Sequence, residues 1–107
     1  APLFSVLHGR QELGFVDELT FLGKHSEASV WARKAITREP DVLATLRVSA
    51  IAQAFAGNLE EAQKIAAWLC RLDPGLRVSR VKDYVPHRRP EDIELFAEGL
   101  RRAGVPE

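Results

Sequence analysis

Apolar residues along this chain recur at the three-to-four-residue spacing of amphipathic helices, and no stretch sustains the alternation of a half-buried strand. The pattern predicts helices over about 3–22, 26–38, 42–56 and 59–72. Glycine and proline punctuate it. Gly23 and Gly57 fall between successive apolar-periodic segments, as a helix C-terminus followed by a tight turn requires. Pro40 and Pro74 lie just past the second helix of each pair, where a fixed φ and a missing N–H stop propagation. Ser26 and Asp41 are candidate N-caps, and Asn58 with Glu61 three residues on reads as a capping box.

Shifting the chain by 34 residues places Gly23 on Gly57, Glu27 on Glu61, Ala28 on Ala62 and Pro40 on Pro74. The repeat predicts an all-α chain of antiparallel helix pairs, with units at about 9–42 and 43–76. Ala28 and Ala62 are expected where paired helices approach most closely, with Leu19, Leu46, Ile65 and Leu69 filling the wider gaps. Residues 77–107 break the pattern and read as a divergent C-terminal cap. A short helical stretch at 77–84 stops at Pro86, and a last helix starts at Pro90 and ends at Ala103-Gly104. In that helix Ile93, Phe96, Ala97 and Leu100 form one apolar face, while Glu94, Glu98, Arg101 and Arg102 face water.

Gly23, Ala28, Ala35 and Pro40 in the first unit, and Gly57, Ala62 and Pro74 in the second, resemble the tetratricopeptide repeat family. Leu69 replaces the second alanine of unit two. The family's first-helix positions fall on Glu12, Phe15 and Val16, and on Leu46, Ser49 and Ala50, so the repeats are divergent. The resemblance implies a right-handed α-solenoid. The tail, with Ser79, Pro86, Pro90-Glu91-Asp92 and Gly99 through Glu107, is similar to the C-terminal tetratricopeptide region of bacterial class III adenylate/guanylate cyclases. Similar tails follow other signalling domains. The implied role is a protein-interaction or regulatory module of a multidomain signalling protein. The alternatives are part of a DNA-binding transcriptional regulator and a stand-alone oligomerisation domain.

At 107 residues, 46% hydrophobic and 28% charged, the chain can bury one modest core. Fifteen basic residues balance fifteen acidic ones, which argues against a nucleic-acid footprint. No apolar run reaches the length of a membrane span, and no signal-peptide pattern occurs, so the expected location is the cytoplasm. A start at Ala1 and the absence of methionine point to a fragment or a processed form. Cys70 is expected to pack as a small hydrophobe beside Leu69 and Leu72. His8, His25 and His87 fall in different helical units, so neither a metal nor another cofactor is expected. Glu60-Glu61 and Glu91-Asp92 suit first helical turns. No phosphate loop, nucleophile elbow or zinc motif occurs, and the chain is not expected to be an enzyme.

In tetratricopeptide arrays the first helices line a groove, and carrying that geometry over gives a partner-binding set of Arg10, Asp17, Phe21, Arg47, Ile51 and Phe55. The phenylalanines would supply apolar contact and Arg47 a bidentate hold on a carboxylate. The competing reading packs the phenylalanines into the core. A second candidate is the basic segment 71–89, with Arg77, Arg80, Lys82, Arg88 and Arg89, as a dock for an acidic peptide; solvated capping roles are the alternative. Trp31 is expected in the core. Trp68, at the position of Lys34 in the preceding unit, is expected to pack under the cap, with an exposed binding interface as the alternative. Leu3, Phe4 and Leu7 form a candidate homodimer face.

Overall fold

The computed structural model describes residues 14–85 and 88–107, and within them the chain is all-helical, with no strand. Residues 14–21 (α1) lead into α2 (His25–Arg38), α3 (Leu43–Phe55) and α4 (Leu59–Leu72). A 3-10 turn (Val78–Arg80), a single α turn (α5, Val81–Tyr84) and α6 (Pro90–Arg102) follow. The candidate dimer residues Leu3, Phe4 and Leu7, together with His8 and His87, lie outside the described residues.

Three glycines set the helix ends. Gly23, Gly57 and Gly104 have φ of 76°, 86° and 96°, values a side chain would resist. Each sits in the same doubly bonded turn. Lys24 N donates to Leu19 O and Gly23 N to Thr20 O; Asn58 N donates to Gln53 O and Gly57 N to Ala54 O; Val105 N donates to Leu100 O and Gly104 N to Arg101 O. The first two turns also launch the next helix directly. Lys24 (φ −86°, ψ 66°) and Asn58 (φ −85°, ψ 63°) are both the third residue past one helix and the N-cap of its successor.

That economy displaces the expected caps. Ser26 is the second residue of α2, and the N-cap Lys24 makes no side-chain cap bond. Val42, not Asp41, precedes α3, while Asp41 accepts a hydrogen bond from Trp68 Nε1 at 3.2 Å. Asn58 is an N-cap by position, but its side chain turns away from the helix amides to Gln53 and Ser29, so no capping box forms.

α3 packs against α2, α4 and α6 and is buried along most of its length. Its sequence is apolar or small nearly all round, which suits a helix covered on several sides. One hydrophobic cluster joins Val16 and Leu19 of α1 to Ala28 and Ala32 of α2 and Ala52 of α3. The larger cluster sets Leu46, Ala50, Ile51 and Ala54 of α3 against α4 and α6, and extends through Leu76 to Val105. Ala28 and Ala62 are fully buried, as are Leu46 and Leu69, and Leu19 nearly so. Cys70 packs partly buried against the larger cluster. In α6, Phe96, Ala97 and Leu100 are buried and Ile93 partly so, while Arg101 and Arg102 are exposed.

The α2–α3 seam is polar. Thr45, Ser49 and Gln53 recur every four residues along α3, all buried. Thr45 Oγ1 donates to Glu39 Oε2 (3.3 Å) and Ser49 Oγ to Ala32 O (3.4 Å). Gln53 is fully enclosed. Its Oε1 accepts from Ser29 Oγ (2.7 Å) and Asn58 Nδ2 (2.8 Å), its Nε2 donates to Ser29 O (3.1 Å), and Asn58 Nδ2 also reaches Ser29 Oγ (3.2 Å). The amide thereby ties both helices to the turn that begins α4.

Trp68 departs from the expected packing under the cap. It is 41% exposed, with its ring edge beside Pro40, Asp41 and Ile65 and the Arg71 guanidinium 5.8 Å from its centre. The cap lies instead across α1 and α3. Trp31 is only partly buried; it stacks on Phe15 at 5.4 Å, and Lys34 Nζ sits over its ring.

Candidate interaction site

α1 and α3 present Asp17, Phe21, Arg47, Ile51 and Phe55 to one region, and α5, Arg88 and α6 lie against it. Arg10 falls outside the described residues. The Phe21 ring is 5.3 Å from that of Phe96, with the Arg88 guanidinium 5.3 Å from its centre. Arg47 lies over Tyr84 at 4.5 Å. Ile51 is buried beneath Gly99, where an added Cβ would stand 2.6 Å from Ile51 Cγ2. Phe55 stacks on His25 (5.3 Å) and carries the Arg102 guanidinium 5.0 Å from its ring centre. Each of these five side chains therefore meets α5, α6 or Arg88.

The charged members are poorly matched. Asp17 faces Arg88 Nη2 at 3.6 Å, too far for a strong hydrogen bond. Burial pushes its carboxyl up from 3.8 to about 6, with Arg88 pulling the other way. Arg88 Nε is buried without an acceptor among the described residues. Burial lowers the Arg47 pKa, while Tyr84 and Asp73 oppose that shift. No carboxylate of the described residues forms an ion pair with Arg47.

Between α1, α3, α5 and α6 remains a cavity of about 190 Å3. Asp17, Arg47 and Tyr84 are its polar walls; the others are apolar, among them Val48, Val81 and Leu100. The sequence reading missed α5 as a wall. The i, i+4 pair Val81 and Val85 beside Tyr84 was the available signal, but only the chain path across α3 gives it meaning.

The basic segment does not converge. Arg77 donates to Pro74 O (3.2 Å) and Leu76 O (2.7 Å), and Arg80 to Gly75 O (3.3 Å), so both bond carbonyls just beyond α4. Arg80 also lies 3.7 Å from Asp83. Arg89 forks onto Asp92 with two 3.3 Å bonds, and Arg88 turns toward Asp17. Lys82 is exposed.

Among the described residues no group of three or more His, Cys, Asp or Glu converges as a metal site, and no helix is long and apolar enough to cross a membrane. In comparisons with known families and with curated proteins, no family model and no curated sequence matches the chain.

Proposed function

We propose that the chain is a tetratricopeptide-type interaction module that holds a segment of another protein, and that it serves as the regulatory tail of a longer signalling protein such as an adenylate/guanylate cyclase. The observation that carries this reading is one turn geometry returning after 34 residues. Lys24 and Asn58 agree within 3° in both φ and ψ, and the helix ends at Glu39 (φ −136°, ψ 70°) and Asp73 (φ −133°, ψ 79°) agree within 9°. Two helices, one glycine turn and one proline stop form a unit that cannot bury its apolar faces alone, so such units stack and leave an extended surface for a partner.

The partner surface is the α1 and α3 side, entered beside Asp17 and Arg47. A peptide presenting an acidic residue next to an apolar one would meet Arg47 and the apolar walls around it. The test is a peptide pull-down with wild type and Arg47→Glu, after circular dichroism shows equal helicity. Loss of peptide binding in the variant is expected. Equal binding by both proteins would move the site to the 77–89 segment, and binding by neither would remove the interaction reading.

A further inference from the structure

The cavity between α1, α3, α5 and α6 has the chemistry of a small-molecule site, distinct from a surface that grips a protein segment. Its volume of about 190 Å3 exceeds the roughly 150 Å3 that suffices for benzene in an apolar protein cavity. Val48, Val81 and Leu100 help make a mostly hydrocarbon wall, which favours an apolar body. The two charged walls differ in what they have left to offer. Asp17 is already faced by Arg88. Arg47 has an aromatic ring against its face and, among the described residues, no carboxylate in ion-pair range, so its in-plane N–H donors remain for a ligand. Burial disfavours its charge more than Tyr84 and Asp73 favour it, and an anion would relieve that. A planar carboxylate matches one guanidinium fork, and its single charge meets less repulsion from Asp17, which lines the same cavity, than a dianion such as phosphate would.

We propose that the chain binds a free monocarboxylic acid with a compact apolar body of roughly six to nine carbons, its carboxylate on Arg47 and its hydrocarbon part in the cavity. Because α1, α3, α5 and α6 all contribute walls, the ligand ties the C-terminal helix to the first and third helices. The binding goes beyond the interaction reading and does not depend on it.

The test uses 3-phenylpropanoate titrated into the methyl-labelled chain and followed by NMR. Saturable shifts are expected at the Val48, Val81 and Leu100 methyls. Arg47→Gln should weaken binding about tenfold or more, as should replacing the probe with 3-phenylpropan-1-ol or 3-phenylpropylamine. Ala44→Leu, which narrows the cavity from α3, should weaken it while leaving Arg47 in place. If Arg47→Gln fails to fold, the alcohol and amine comparisons decide. Absence of saturable shifts, an amine binding as well as the acid, or undiminished binding by folded Arg47→Gln would each overturn the proposal. So would shifts produced only by a peptide and not by the free acid, an outcome that leaves the interaction reading standing.

Discussion

Gly99 lies so close to Ile51 that a methyl group on Gly99 would stand 2.6 Å from Ile51 Cγ2 and 3.0 Å from Phe55 Cε2. A glycine inside a helix costs about 1 kcal/mol relative to alanine, yet here it is what lets α6 rest on α3. The same contact covers two of the residues expected to bind a partner.

Gly99→Ala should therefore destabilise the chain. The propensity gain of about 1 kcal/mol opposes an overpacking cost of about 1–3 kcal/mol, and Ile51 is too enclosed to yield. A net loss of up to about 2 kcal/mol is expected in urea unfolding. Ile51→Ala removes the obstructing methyl, so the double variant should lose less than the two single losses combined. A stabilised Gly99→Ala would mean that α6 sits farther from α3.

Gln53→Leu should cost about 2–3 kcal/mol despite similar volume, because Ser29 and Asn58 lose their buried partner. Adding Ser29→Ala removes one orphaned group, so the second substitution should cost much less on this background than alone. Thermal melts of the three variants measure this coupling; strict additivity would show that the three side chains do not act as a unit.

Asp17 gives stability a pH dependence of unusual sign. Its folded pKa of about 6 lies above the ordinary 3.8, so the folded chain holds this proton more tightly than the unfolded one. The contribution is fully present below about pH 4 and is lost as pH rises through about 6. The stability advantage of wild type over Asp17→Asn should shrink by on the order of 2 kcal/mol between pH 4 and pH 7. Urea titrations of both proteins at several pH values give that difference directly, and a flat one would place Asp17 in water.

The local boundaries were legible in single residue types. Gly23, Gly57 and Gly104 mark the turns, and Pro40 and Pro74 follow helix ends, because left-handed backbone and proline's fixed φ are properties of single residues. The apolar face of α6 was also legible from its spacing. Ser26 and Asp41 misled because a cap depends on where the preceding turn delivers the chain, and the glycine turn delivers Lys24 into the first N-cap.

Tertiary structure alone decided which face α6 covers. Its apolar stripe fits any complementary surface, and only the route through Leu76, Val81 and Tyr84 lays it over α1 and α3 and leaves Trp68 outside. The partners of Asp17 and Arg47 come from segments 71 and 37 residues away, Arg88 and Tyr84, across loops that no local propensity specifies. The polar seam of Thr45, Ser49 and Gln53 was visible as an i, i+4 pattern, but its meaning required α2. Helix periodicity names the residues on a stripe; burial against a particular neighbour decides whether that stripe becomes core, seam or cavity wall.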